Sequence, residues 1–386
     1  MQRFFFKPMK ILSLSLDPLV LDPQSVAAER NRRYGDALGR YVIVVPAAEG
    51  KSVRLSDRAI VYGVSGRSKL IRFLRLFPTV QRLFKEERFD LITSQDTYFL
   101  GLLGLILSRL YSCALEVQVL GIEKLSPLRK LLARFVLSHA DGIRVLSLGL
   151  KRRLVGEFGM KTDRMSLVPI FVDVSSLGLS RPADDPEVAQ AVADFRKRYG
   201  GRFNIVSVNR LVPIKNIPMQ LEAVAALMDS FPQILLHVVG DGPERDALLA
   251  QIDRLGLKEH VVLEGFKSGL ALRPFFSESD CFVLTSDFEG YGMVVVEAAT
   301  AGAPIVMTEV GCAGELIRDG ESGLIVPPRD TVAFTDALRR IIADADLRQR
   351  LHAGAAKAIA ELPTFDTVLE KYLAAWRFAI DNHSKS

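Results

Sequence analysis

The chain is poor in the residues that staple or ligate. Its three cysteines, Cys113, Cys281 and Cys312, lie far apart, and their spacing excludes a zinc or dithiol redox motif. They read as small buried apolar residues of a reducing compartment. The five histidines, His139, His237, His260, His352 and His383, show no HExxH or comparable ligand spacing, so no metal site is expected. Long apolar runs are lacking too. The longest, residues 98–107, is closed by Arg109 and is about half of the roughly 20 residues that a spanning helix needs. It reads as a buried core helix. The first ten residues are basic and carry three consecutive phenylalanines, but no apolar stretch of signal-peptide length precedes Asp17. Export is therefore not expected, and the location expected is cytoplasmic.

What is present is an ordinary globular composition, 49% hydrophobic and 25% charged over 386 residues. Single cores stop growing at roughly 250 residues, so two domains with a cleft between them are expected. The net charge of +5 hides an uneven split. Residues 1–180 hold 28 Lys+Arg against 16 Asp+Glu, a net +12, and the remainder holds 22 against 29, a net −7. Such polarity points the first half toward an anionic partner, and nucleic acid is not the one expected.

Short apolar, β-rich runs alternate with helical patterns. In the first half they cover residues 11–16, 42–45, 60–64, 90–93, 115–119, 143–146 and 166–168. They are apolar on both faces, as strands of a covered parallel sheet must be. The alternation weakens over 177–201, where prolines, acids and a Gly200-Gly201 pair punctuate a polar stretch, and the boundary is set at 180/181. A second series follows at 203–208, 235–239, 261–263, 281–284, 305–307 and 324–326. The spacing of Val368, Tyr372, Leu373, Trp376 and Ile380 then predicts a last helix.

The most informative segment runs from Thr285 to Ala298. It follows a buried run, contains Glu289-Gly290-Tyr291-Gly292-Met293-Val294, and leads into a helix. Glycines let backbone amides approach a ligand, and the helix N-terminus offers free N–H groups and a positive dipole end. This predicts a diphosphate cradle flanked by Glu289 and by Glu297, two helical turns on. A second cluster, Asn209 to Asn216, follows the run at 203–208 and holds Arg210 and Lys215. Fixed cations there suit an anionic ligand. Asp344-Ala345-Asp346 has the DxD form but sits in a polar helical stretch and reads as surface. A dinucleotide site would need glycine at 245, which is Arg, and Pro243 interrupts the helix start.

These segments resemble glycosyltransferase family four, retaining enzymes of the GT-B type, whose hallmark is an EG[FY]G loop with an E-x7-E pattern. The resemblance is strong over residues 203–328. Gly240-Asp241-Gly242-Pro243 is similar to the family's GxGP turn, and Phe266 and Lys267 follow the strand end on which the nucleobase packs. It is weaker over 10–175, where Gln95-Asp96, Arg144-Val145-Leu146-Ser147 and 168–173 match family segments at strand ends. Two positions depart from the pattern: prolines and acids replace glycines over 17–25, and Leu120 stands where the family carries a histidine that contacts the transferred sugar and the departing phosphate.

The resemblance implies a fold of two doubly wound Rossmann-like α/β domains facing across a cleft, with the last helix, 364–386, crossing back to the first. It implies retaining transfer of a sugar from a nucleoside diphosphate sugar, which is a substrate and not a cofactor, to a glycan or lipid-linked acceptor. Arg210 and Lys215 would neutralise the diphosphate, Glu289 would orient the sugar hydroxyls and Glu297 the ribose. Asp96, Leu120, Gly121, Glu123 and Arg144 are the acceptor-side candidates. Two other functions fit the same cradle: a GT-B epimerase and a non-catalytic nucleotide-sugar-binding scaffold, the latter favoured by Leu120. Finally, Lys69, Arg72 and Arg75 recur every third residue among Leu70, Ile71, Phe73, Leu74 and Phe77, up to Pro78, which is expected to break or kink the helix. This basic amphipathic pattern predicts attachment to an anionic membrane surface, on its inner face.

Overall fold

The structure, a computed structural model, describes residues 8–121, 126–174 and 185–385. The chain divides into two compact units. One comprises Met1–Leu146, Leu150–Pro169 and Phe365–Ser386, and the other Ser147–Gly149 and Ile170–Thr364. The second unit starts at Ile170 because Val172 is buried in its core, with Ile170 and Val174 packed alongside. The sequence-based boundary at 180/181 lies outside the described residues.

The first unit is built on eight strands: β1 (Lys10–Leu14), β2 (Arg40–Pro46), β3 (Ser52–Arg54), β4 (Ala59–Val64), β5 (Leu91–Ser94), β6 (Ala114–Val119), β7 (Gly142–Val145) and β8 (Met165–Leu167). Their order is β3-β4-β2-β1-β5-β6-β7-β8. Every pairing is parallel except β3 with β4. The interior strands β5, β6 and β7 are buried at every position, since helices cover both faces of a parallel sheet. Strand β3 escaped the sequence pattern for a physical reason. It is a short antiparallel edge with two exposed positions and one half-buried, so it carries no apolar run.

Two helices of this unit differ from expectation. The basic amphipathic segment is an uninterrupted helix, Lys69–Glu86, that passes through Pro78. Its Leu76, Val80, Leu83 and Phe84 face the core, whereas Leu70 and Leu74 stay exposed. The apolar run at 98–107 is the helix Phe99–Tyr111, which buries Leu100, Leu105 and Leu107 but leaves Phe99, Ile106 and Leu110 exposed. The last helix, Phe365–His383, packs on β6 and β7 within the same unit. Trp376 is its anchor, fully buried and donating through Nε1 to Glu116 Oε2 at 3.1 Å.

Six strands form the second unit: β9 (Phe203–Val208), β10 (Ile234–Val239), β11 (Val261–Gly265), β12 (Cys281–Leu284), β13 (Ile305–Thr308) and β14 (Leu324–Val326). All pair in parallel, in the order β11-β10-β9-β12-β13-β14. One apolar layer sets Ile217, Leu221 and Val224 of the helix Ile217–Leu227 against Ile205 and Leu236. The opposite layer sets Val295, Val296 and Ala299 against Phe282 and Met307.

Candidate active site

From β9 the second sheet grows one way through β10 and β11, and then β12 lies down on the other side of β9. Loops leaving the carboxyl ends of β9 and β12 diverge at this reversal. Open α/β sheets bind their ligands in the crevice so formed. A cavity of about 600 Å³ lies there, lined by Asn209, Arg210 and Lys215 after β9, Gly240 and Asp241 after β10, Phe266 and Lys267 after β11, and Glu289, Gly292, Met293, Val294 and Glu297 after β12.

The polar side chains are held in defined positions. Lys215 Nζ lies 2.5 Å from Glu289 Oε1, and Ser286 donates to the same oxygen at 2.7 Å. Lys215 thus contacts a carboxylate of the cradle, while Arg210 is exposed and forms no ion pair among the described residues. Asn216, with φ of 46°, turns the chain just after Lys215 and starts the helix Ile217–Leu227. Gly292, with φ of 85°, does the same for the helix Met293–Thr300, a backbone conformation that a side chain disfavours. Glu297 projects into the cavity from that helix, and burial raises its pKa above the ordinary carboxylate value. Phe266 is 76% exposed and presents its ring at the mouth.

Three predicted donor residues do not line the cavity. Tyr291 is buried in the apolar core, where its carbonyl accepts from the Cys312 N–H at 2.8 Å. Gly290 is half-buried beside it. Gly242 serves the scaffold: a Cβ there would strike the Leu211 carbonyl, and one at Gly240 would strike that of Asn209. Both glycines therefore let the loop after β10 close on the loop after β9, fastened by Leu211 N–H to Asp241 O at 2.9 Å.

In the first unit the sequence candidates spread out. Asp96 caps a helix, its Oδ1 accepting from the N–H groups of Tyr98 (2.7 Å) and Leu100 (3.2 Å). Burial raises its pKa, against the lowering effect of those backbone bonds. Leu120 and Gly121 are exposed just past β6, and Glu123 lies outside the described residues. Arg144 is a correction. It is 1% exposed, ion-paired to Glu116 at 3.3 Å and stacked 4.0 Å over Tyr372, which makes it a core residue that holds the last helix. The acidic, proline-containing stretch 17–25 supplies caps: Asp17 accepts from Leu19 N–H and Ser25 from Ala28 N–H, each at 3.0 Å.

Sequence patterns missed a polar cluster that is linked to the cavity through Lys267. His237 is fully buried, with Nδ1 3.0 Å from Glu264 Oε1 and Nε2 3.1 Å from Asn204 Oδ1. Tyr199 donates to Glu264 at 2.7 Å, and Lys267 Nζ lies 3.6 Å from its other oxygen, which fixes the cavity-lining lysine. A histidine inside an otherwise apolar strand was the available signal. Asn209 and Asp241 were likewise passed over. The cysteines are inert, since burial pushes the thiols of Cys113 and Cys312 up to about 12. Asp344 caps a surface helix, accepting from Leu347 N–H at 2.8 Å.

Two parallel α/β units, with this cavity at the switch point of the second, define a GT-B architecture. The model of the glycosyl transferases group 1 matches residues 192–358, and that of a glycosyl transferase 4-like domain matches residues 25–170. The chain belongs to the family-four glycosyltransferases. It is 33% identical over 174 residues to the alpha-D-kanosaminyltransferase of Streptomyces kanamyceticus, covering 45% of each protein. With the GDP-mannose-dependent alpha-(1-6)-phosphatidylinositol monomannoside mannosyltransferase of Mycolicibacterium smegmatis the identity is 29%, over 69% of this chain and 72% of the relative. The chain thus spans about half the length of the first relative and nearly three quarters of the second. The fold is shared with HepE of Anabaena, solved in complex with UDP, at a TM-score of 0.71 and 20% identity over 95% of this chain and 99% of HepE.

Proposed function

We propose that the chain transfers a sugar, with retention, from a nucleoside diphosphate sugar to a glycan or lipid-borne acceptor at an anionic membrane surface. The observation that carries this is the convergence of four loops on one cavity that combines three cations, three carboxylates, a helix N-terminus and an exposed aromatic ring. A nucleobase stacks on Phe266, and Glu297 accepts from ribose hydroxyls. Arg210 and the amides at Met293 neutralise the diphosphate. Lys215 shares its charge between Glu289 and the β-phosphate, where negative charge grows as the sugar leaves. Glu289, steadied by Lys215 and Ser286, accepts hydrogen bonds from the sugar. With Leu120 in place of an imidazole, the departing phosphate itself takes the acceptor's proton. No metal enters the proposed scheme, so a chelator is expected to leave turnover unchanged. The names of the relatives, one of which is a GDP-mannose-dependent phosphatidylinositol monomannoside mannosyltransferase, support a sugar nucleotide donor and a lipid-borne acceptor.

The test is donor binding followed by turnover. A panel of uridine, guanosine and adenosine diphosphate sugars is expected to raise the melting temperature for one nucleotide, and acceptor extract to release that nucleoside diphosphate. Arg210→Ala is expected to lower kcat/KM by about 10²–10³-fold, the usual cost of losing one electrostatic donor. Unchanged turnover in both Arg210→Ala and Lys215→Ala would sink the assignment. Tight donor binding without product under any acceptor would favour the scaffold, and a donor altered in configuration without acceptor would favour the epimerase.

A further inference from the structure

Within the proposed donor site, Asn209 has hydrogen-bond partners that do not balance. It stands at the carboxyl end of β9, 8% exposed, and lines the cavity. One end of its amide lies 2.7 Å from Ser207 Oγ, and the other end has no partner. The neighbouring bonds decide which atom faces which way. Thr285 Oγ1 lies 3.0 Å from the carbonyl oxygens of Lys215 and Asn216, so its proton goes to one of them. Gln220, 2.8 Å from the same hydroxyl oxygen, must therefore turn its NH₂ toward Thr285. That NH₂ also donates to Ser207 Oγ at 3.0 Å.

Ser207 is fully buried, and its own proton then has one acceptor left among the described residues, the amide oxygen of Asn209. The oxygen and nitrogen of an amide have nearly the same shape, and the network is what tells them apart. With the oxygen on Ser207, every proton from Thr285 to Ser207 is bonded, and the NH₂ takes the buried position that has no protein partner, on a side chain that lines the cavity. A buried donor left without an acceptor is costly, so the occupant must bring one. Arg210 and Lys215, lining the same cavity after β9, make that acceptor an anionic oxygen.

We propose that Asn209 donates a hydrogen bond through Nδ2 to a non-bridging oxygen of the bound nucleoside diphosphate. The contact rests on the donor reading above and adds a neutral, rigid donor to its two flexible cations. Asn209→Asp keeps the size of the side chain and an acceptor for Ser207, but turns a carboxylate oxygen toward the ligand. UDP and GDP, titrated calorimetrically, are expected to lose about 100-fold in affinity for this variant, because like charges then face one another. Uridine and guanosine, followed by ligand-observed NMR, are expected to bind as to wild type. Asn209→Ala is expected to lose roughly tenfold or more toward the diphosphate alone. It decides the matter if the aspartate lowers the melting temperature of the free protein. Diphosphate affinity unchanged in both variants, or lost in equal measure for nucleoside and diphosphate, would overturn the contact while leaving the donor site standing. A wild type that binds neither UDP nor GDP would overturn the donor reading and this contact together.

Discussion

Single residues show where a motif stops being informative. Arg144 matches a family segment at a strand end, yet it is spent on Glu116, a partner from β6 that no local pattern reveals. Asn209 lies inside a recognised cluster and was passed over, because its role depends on a hydrogen-bond network shared with Ser207, Gln220 and Thr285. Glu289 and Glu297 were legible, because a glycine loop that opens a helix, with a carboxylate on either side of the turn, is a local property. Glu297 also makes a pH prediction. Burial alone raises its pKa. An acid with a folded pKa above its unfolded value contributes full stability below the unfolded pKa and loses it as pH rises through the folded one. Glu297→Gln removes that loss. Urea titrations of the free protein are expected to find the variant more stable than wild type at about pH 8 and equal to it at about pH 4. A difference of the same size at both pH values would show that the carboxyl does not titrate in this environment.

At the scale of elements, strands were the most legible part of the fold. Burial on both faces gives runs that need no partner to be recognised, and all thirteen sequence runs differ from the strands only at their ends or not at all while one-sided, polar β3 left no mark. Helices were less so, since Pro78 sits within a continuous helix whose packing on β2 and β4 outweighs the lost bond. The last helix was visible as a period, but what holds it was not. Glu116 accepts from Thr93 at 2.6 Å and from Trp376 at 3.1 Å, and its other oxygen faces Arg144. Removing one member of such a buried pair strands the other charge, at about 3–5 kcal/mol. Arg144→Ala is therefore expected to lower the first calorimetric unfolding transition of the full chain, and Arg144→Met with Glu116→Leu to restore most of it. A double variant no better than the single one would mean that the arginine acts through packing on Tyr372 and not through charge.

At the scale of the whole molecule, the excess of basic residues and most of the exposed large apolar side chains belong to the first unit. In the helix Pro127–His139, Leu128, Leu131 and Phe135 form one exposed stripe at spacings of three and four, among Arg129, Lys130 and Arg134 and without a carboxylate. The helix Lys69–Glu86 adds Leu70 and Leu74, 69% and 66% exposed. Phe99 joins the two, its ring 6.2 Å from that of Phe73 and 5.9 Å from the Arg129 guanidinium. Arg72 and Arg75 are tethered to the carbonyls of Gly66 and Ser65, which keeps their charge beside the apolar band. No helix among the described residues is long and apolar enough to cross a membrane. A band of leucine and phenylalanine edged with cations suits the surface of an anionic leaflet, where each Lys or Arg contributes on the order of 1 kcal/mol. Co-sedimentation with vesicles containing phosphatidylserine is expected to show binding that weakens as salt rises and the Debye length falls below about 8 Å. Leu128→Ser with Leu131→Ser removes the apolar part and leaves the charge. It is expected to weaken binding at physiological salt by about tenfold or more while leaving nucleoside diphosphate affinity unchanged, since two buried leucines are worth several CH₂ groups at about 0.8 kcal/mol each. Equal recovery in the supernatant with neutral and anionic vesicles at low salt would rule the surface out, and loss of binding by the charge alone, with the double serine variant indistinguishable from wild type, would reduce it to an electrostatic contact.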